Sequence, residues 1–270
     1  MSTKTVRKNK WFLAYKRVEE GATYNCDNMI VIEPPKDFYY ADPFLFEKDG
    51  KHWVFFELYD YNKGVIACAE LTDEGLGEVQ VVLEQPTHLS FPFVFEDNGR
   101  IFMIPESGNS GILGLWECTE FPGKWEFRNM LWDDGNCADP VLVKRGRTYF
   151  IYTSINSDHV QVVLRSDSLF KRFELTCFEE RMNSRSAGRM WEHGQTEGYM
   201  RPVQNCEGGY GEGVILKWYC ADHMNDGVEI KRLPMDWYPG LTGFHTFNFD
   251  SKYLIIDGKI PYDQKMDTTR

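Results

Sequence analysis

Apolar and polar residues alternate along this chain in short runs, and no stretch holds the three-to-four-residue period of a long amphipathic helix. The run from Asp42 to Glu57 reads DPFLFEKDGKHWVFFE, that from Phe91 to Glu106 reads FPFVFEDNGRIFMIPE, and that from Asp139 to Ser154 reads DPVLVKRGRTYFIYTS. Each opens on one residue before a proline, alternates through Val, Ile, Phe or Tyr, turns at a glycine and returns as an aromatic-rich strand. The turn pairs Asp49-Gly50, Asn98-Gly99 and Arg145-Gly146 carry the chemistry of tight hairpins. Weaker copies begin at Ala187 (AGRMWEHGQTEGYMRPVQ) and His245 (HTFNFDSKYLIIDG), and between copies lie further strand-like runs such as VIACAEL, VQVVLRS and GVILKWYC.

Copies spaced about 50 residues apart match the size of one propeller blade, because a lone four-stranded sheet cannot cover its own faces and must stack on neighbours around an axis. The pattern predicts an all-β, five-bladed β-propeller with about four antiparallel strands per blade, rather than an irregular β-sandwich. Its repeats lie near 42–57, 91–106, 139–154, 187–204 and 245–258, within one domain over 1–260 followed by a polar tail over 261–270.

Composition narrows the functions. The chain has 270 residues and a net charge of −11, so nucleic acid or an anionic membrane would be repelled unless a local basic patch intervened. The visible patch, Lys4, Arg7, Lys8 and Lys10, reads as a solvated tail. No signal-peptide pattern and no apolar run of membrane-spanning length occurs, and the seven cysteines are scattered without a C-x-x-C pair. The expectation is a soluble, cytoplasmic protein with reduced thiols. Nucleotide-loop, zinc-protease and serine-elbow motifs are missing, as is an Asp-x-Asp pair. A divalent metal would therefore have to be held by acids that the fold gathers, such as Asp42 with Asp139 or Glu57.

In a propeller the innermost strand of each blade lines the channel, so the openers Asp42, Phe91, Asp139, Ala187 and His245 gather at one mouth. The partner strands end on Glu57, Glu106, Thr153, Gln204 and Asp257. Converging carboxylates raise one another's pKa and can divide into an acid and a base. An Asp-Pro pair that merely caps a turn is the bland alternative.

These residues carry a resemblance. Five blades with an Asp-Pro opener resemble the furanosidase-like glycoside hydrolases, in which the equivalent aspartate is the general base. More specifically, YYADPFLFEKDGKHWVFFE, SFPFVFEDNGRIFMIPES, RSAGRMWEHG with YMRPVQNC, and GFHTFNFDSKYLIIDG look like the N-terminal propeller of plant glucosamine inositolphosphorylceramide transferases. Size and architecture are also similar to chlorovirus enzymes that add xylose to capsid glycans. The hydrolase resemblance implies Asp42 as base, Asp139 as the second aspartate, and Glu57 or Glu106 as proton donor. The match is incomplete, since Phe91 stands where an acid would be expected and Ala187 opens the fourth repeat.

The fourth and fifth repeats instead supply Arg189, His193, Arg201, Gln204 and His245, donors suited to a diphosphate leaving group. Tyr40, Trp53, Phe91 and Trp191 are candidates for stacking on sugar or base rings, against the plainer reading of packing between blades. The leading expectation is a glycosyltransferase that moves a sugar, with xylose as one candidate, from a UDP-sugar to a glycan acceptor. A furanosidase-like hydrolase of the arabinofuranosidase or xylosidase type and a non-catalytic glycan-binding propeller are the alternatives.

Overall fold

The computed structural model describes residues 3–18, 24–155, 160–180, 183–192, 198–220 and 223–267. Its strands are β1 (Thr3–Arg17) and β2 (Ile30–Ile32), then β3 (Tyr39–Lys48), β4 (Lys51–Tyr59) and β5 (Gly64–Thr72), with the short β6 (Gly75–Leu76) and β7 (Gln80–Leu83). There follow β8 (Ser90–Asp97), β9 (Arg100–Glu106), β10 (Leu113–Glu120) and β11 (Lys124–Trp132), then β12 (Cys137–Arg145), β13 (Thr148–Ile155), β14 (Val160–Ser166) and β15 (Glu174–Glu180). The chain ends with β16 (Trp191–Glu192), β17 (Gly198–Asn205), β18 (Gly213–Cys220), β19 (His223–Arg232), β20 (Phe247–Phe249) and β21 (Tyr253–Asp267). They form five antiparallel sheets, the blades of a propeller, with β3, β8, β12, β16 and β20 at one edge of each. Among the described residues there is no α-helix, and no helix long and apolar enough to cross a membrane.

The turn chemistry is realised as the sequence requires. Asp49 and Gly50 have φ of +52° and +73°, and Asn98 and Gly99 have +51° and +73°, both central residues of each hairpin lying in the left-handed region. More consequential are three matching irregularities. The register skips between Ala41 and Phe44, between Ser90 and Phe93, and between Ala138 and Val141, so each X-Pro pair bulges out of its inner strand. The bulged residues Asp42, Phe91 and Asp139 have φ of +52°, +45° and +51°. Such a conformation costs on the order of 1–3 kcal/mol for a side chain other than glycine, and persists only where the surroundings impose it. Here the bulge re-aims the side chain that opens each blade. In the fourth blade the equivalent turn uses Gly188, where a Cβ would come within 2.2 Å of the Phe247 carbonyl oxygen.

Below the openers the channel is filled. Phe44 packs edge-on against Phe91 and Phe93 at 4.8 and 5.7 Å, all three buried. Arg189 reaches across from the fourth blade, its guanidinium 4.8 Å from the Phe93 ring and donating to the Val94 carbonyl at 2.5 Å. The repeated acids lie above this filled section, and Asp42, Glu57, Asp139 and Asp257 are themselves buried.

The termini differ from expectation. β1 pairs with β21 continuously from Thr3↔Asp267 to Arg17↔Tyr253, so the fifth blade is completed by the N-terminal segment and the ring closes on itself. The segment expected as a tail is strand as far as Asp267, and the basic N-terminal patch lies within β1, with Lys10 paired to Glu33 at 2.7 Å. Long-range pairing of this kind has no local sequence signal. The seam to the first blade is fastened by Asp73, which accepts from Arg17 Nε at 2.6 Å and Tyr253 Oη at 2.8 Å, and by His52 Nδ1 lying 2.6 Å from Asp250 Oδ2. Tyr253→Phe removes one of these bonds and is expected to cost about 1 kcal/mol. A thermal melt should show a drop of about 2–4 °C, and an unchanged Tm would remove that bond from the account of closure.

Candidate active site at the channel mouth

The five carboxylates that the repeat predicts come together, but in unlike surroundings. Asp42 Oδ1 accepts from Thr246 Oγ1 at 2.9 Å, and the Asp42 backbone N–H donates to Asp257 Oδ2 at 3.3 Å. His245 Nδ1 lies 2.5 Å from Asp257 Oδ2 and 3.7 Å from Asp42 Oδ1. Asp257 Oδ1 also accepts the backbone N–H of His245 and of Thr246, at 2.8 and 3.1 Å. The imidazole stacks on Trp11 at 4.1 Å with planes 19° apart, and the Tyr210 ring stands edge-on at 5.3 Å. Burial opposes every charge here, yet Asp257 and Asp42 outweigh it and raise His245 to about 9. Burial likewise opposes the Asp257 carboxylate, but His245 and the two backbone donors hold it below its ordinary value. For Asp42, burial prevails over the pull of His245 and lifts it to about 6.

Asp139 occupies the same bulge in the third blade with different partners. Arg185 Nε donates to its Oδ2, Gln204 Nε2 donates to the same oxygen at 2.6 Å, and its backbone N–H donates to Glu106 Oε2 at 3.0 Å. Arg185 also lies 3.7 Å from Glu106 and 5.1 Å from the centre of the Tyr210 ring. Burial raises Asp139 to about 7 against the opposing charge of Arg185, and raises Glu106 in the same way. One aspartate is thus tied down by an arginine and an amide. The other is held by a hydroxyl beside an imidazolium.

Glu57 forms a third group. His88 Nε2 lies 3.0 Å from Glu57 Oε1, while His88 Nδ1 accepts the Gly64 N–H at 3.0 Å. With Nδ1 so occupied, the proton of the neutral ring sits on Nε2, facing Glu57. Burial is the main cause of the raised Glu57 pKa, with His88 opposing it.

The cationic and aromatic candidates fare differently. Arg201 is 2% exposed, and its Nη2 donates to Gln161 Oε1, the Ser184 carbonyl and Ser186 Oγ at 2.5, 2.7 and 3.0 Å. A phosphate could reach it only by opening the seam between the third and fourth blades, so Arg201 is corrected to a structural rivet. Arg189 is committed to the channel floor rather than the mouth; burial lowers it to about 10. Tyr40 and Phe91 are buried against Phe56 and Phe44, Trp191 packs on Phe249, and Trp53 packs on Phe121, so all four expected stacking residues are packing groups. His193 lies outside the described residues. Gln204 does reach the mouth, through Asp139. The residues not anticipated are Arg185 and His88, each two or three positions upstream of an opener, together with Thr246, Trp11 and Tyr210.

Asp42, His245 and Asp257 also offer ligand atoms within 4.8 Å of one another, the grouping of this kind found among the described residues. The 2.5 Å contact from His245 Nδ1 to Asp257 is that of an N–H···O bond, and with the ring raised to about 9 the trio reads at neutral pH as an imidazolium between carboxylates. Neither Asp139 nor Glu57 joins that grouping, contrary to the pairings suggested by the sequence.

These shifts give stability a definite pH dependence. His245 rises from its ordinary 6.5 to about 9, so its contribution is whole below 6.5 and is lost as pH climbs through 9. Asp42 and Asp139 bind protons more tightly in the fold, so their ionisation also erodes stability as pH rises from 3.8 through about 6 and 7. With Asp257, held below its ordinary 3.8, losing its contribution only as pH falls below that value, these groups together place the largest Tm near pH 4, with a steady decline as pH rises. His245 alone should account for about 2–3 kcal/mol between pH 6.5 and 9. Melts of wild type and His245→Gln across that range test this, and equal slopes would refute it.

The five-bladed ring is a fold shared with carbohydrate-cleaving enzymes. It is similar to the exo-β-1,3-galactanase of Phanerochaete chrysosporium, with TM-score 0.61 and 10% identity over 96% of this chain and 65% of that one. It is similar also to the family 43 endo-arabinanase of Bacillus licheniformis, with TM-score 0.59 and 13% identity over 86% of this chain and 96% of that one. At such identities the likeness is one of fold. Sequence places the chain more closely: residues 21–226 match the family of the N-terminal domain of glucosamine inositolphosphorylceramide transferase 1, and the chain belongs to that family. It is 34% identical to the Arabidopsis thaliana transferase over 123 residues, which are 44% of this chain and 16% of that protein. It is 29% identical to the Oryza sativa subsp. indica transferase over 196 residues, which are 65% of this chain and 25% of that one. The chain therefore corresponds to a minor part of these relatives' length.

Proposed function

We propose that the protein is a glycosyltransferase that moves a sugar from a UDP-sugar to a glycan acceptor, with Asp42 as the base. The observation that carries this reading is the contrast between the two bulged aspartates. Asp139 is tied to Arg185 and Gln204, whereas Asp42 is buried, has a pKa of about 6 and has no arginine or lysine partner among the described residues. As the acceptor oxygen bonds to the sugar's C1, the C1–O bond to the diphosphate breaks with its electron pair leaving on phosphate, and Asp42 takes the acceptor's proton. Arg185, 12% exposed, and Lys259, whose Nζ donates to the Tyr210 carbonyl at 2.7 Å, flank Tyr210 and supply positive charge for the diphosphate. Membership of a family named for a transferase supports the same reading. Seven free cysteines fit a reducing compartment, and we place the reaction in the cytoplasm.

Hydrolysis is the second reading, favoured by the buried Glu57 and the partly exposed Glu106, acids with raised pKa that would suit leaving-group protonation. Calorimetry with a panel of UDP-sugars, together with assays of UDP release, tests the first. Folded protein that neither binds nor turns over any of them sinks it. Release of nitrophenol from aryl arabinofuranosides or xylosides, lost in Asp42→Asn, would establish the second, and glycan binding without any product would leave a lectin-like propeller.

A further inference from the structure

Beside Asp42 the rim of the first blade carries a group of tyrosines that neither packing nor the chemistry above requires. Tyr39 and Tyr59 stack at 4.5 Å with planes 28° apart, and Tyr61 stands nearly perpendicular to Tyr39 at 5.7 Å. Tyr262 from the closing blade lies 6.3 Å from Tyr61, and Lys8 Nζ sits 5.1 Å over the Tyr61 ring. All are partly exposed. The wall adjoins the acids: Tyr59 is 5.5 Å from the His88 ring, which in turn faces Glu57. Burial raises the Tyr39 hydroxyl above its ordinary pKa, and Glu57 and Asp42 add to that rise, which places its ring within their field.

Tyr61 itself has φ of +66°, an uncommon conformation for a bulky side chain, at the tip of the β4–β5 hairpin. The tip is held by Asp60 Oδ1, which accepts from the backbone N–H of Asn62 and Lys63 at 2.9 and 2.7 Å. An aromatic ring is thus held in a strained turn at the edge of a cluster of carboxylates.

We infer that this rim is the acceptor subsite: Tyr59 and Tyr61 take the apolar face of a neutral sugar ring and direct one of its hydroxyls to Asp42 and Glu57. The inference rests on the proposed carbohydrate chemistry at Asp42. Tyrosine offers a broad amphipathic face with little side-chain entropy to lose, and carboxylates accept hydroxyl protons. A nucleotide fits poorly here, because its diphosphate would meet Glu57 and Asp42. The cations suited to it, Arg185 and Lys259, lie around Tyr210 instead.

Saturation-transfer NMR titrations with methyl glycosides of xylose, glucose, galactose and mannose, and separately with UDP, test this. Wild type is expected to bind at least one glycoside. Tyr59→Ala and Tyr61→Gly should each weaken that binding about tenfold, Tyr61→Phe should keep it, and UDP affinity should be unchanged in all three. Tyr61→Gly relieves the left-handed strain, so a folded variant is secured, and melts confirm it. Wild type that binds no glycoside, variants that bind as well as wild type, or tyrosine variants that lose UDP would each overturn the inference. Glycoside binding that depends on the tyrosines, in a protein that binds no UDP-sugar, would uphold the subsite and refute the transferase reading.

Discussion

Asp42→Asn is expected to lower turnover of the UDP-sugar by about a thousandfold while the protein stays folded. The amide keeps the side-chain volume and can still accept from Thr246 Oγ1, but it cannot take a proton from an acceptor hydroxyl. Stability should change little, because two effects oppose each other. The wild-type carboxylate binds its proton more tightly in the fold than in the unfolded chain, so removing the buried charge is favourable above pH 6. Its loss also leaves His245 with Asp257 as its remaining close carboxylate, which is unfavourable. The pH profile supplies an independent check: wild-type kcat/KM should rise through pH 6 as Asp42 ionises, and the residual activity of the variant should not. Asp139→Asn is expected to behave differently, raising KM for the donor by loosening Arg185 rather than removing a base. Steady-state assays of UDP release separate the two, and Asp42→Asn retaining turnover within tenfold of wild type would overturn the assignment of Asp42.

What the sequence made legible was whatever repeats locally. Asp42, Phe91 and Asp139 stand before prolines at the same point of three similar runs, and the fold turns each into the same left-handed bulge. The acids at those points and at the ends of the partner strands meet as expected. The cations depart from expectation because residue identity alone does not reveal strand face. Arg201 and Gln204 are three apart on β17, hence on opposite faces, so Gln204 reaches Asp139 at the mouth while Arg201 turns into the seam between blades. Arg185 and His88 lie just upstream of the repeats, in segments whose pattern announces nothing, yet they lead the chain across the mouth into the next inner strand. The ring closure was hidden for a related reason. After His245 the chain supplies two strands of the last blade, and the other two come from its beginning, a pairing that local periodicity cannot reveal.

Arg201→Met is expected to destabilise the fold by about 3–5 kcal/mol, although the replacement is apolar and fits a similar space. The argument turns on which groups are left behind. Replacing a buried charge by a hydrophobic side chain can be neutral when both partners go, because the desolvation cost goes with them. Here the acceptors stay. Gln161 cannot rotate to compensate, because its Nε2 already donates to the Thr153 and Val162 carbonyls at 3.0 Å each, which keeps Oε1 pointing at the vacated position. The Ser184 carbonyl is fixed by the backbone, and Ser186 Oγ alone can turn elsewhere. The guanidinium also lies 5.5 Å from the centre of the Tyr152 ring in the third blade and 5.8 Å from that of Tyr219 in the fourth, so the loss falls on the joint between them. At about 2–4 °C of Tm per kcal/mol, the melt should fall by roughly 6–20 °C. Below that temperature UDP binding should match wild type, since the mouth retains Arg185 and Lys259. An Arg201→Met variant that melts at the wild-type temperature would show that the acceptors find water or one another. A folded variant that loses UDP would return Arg201 to the binding site.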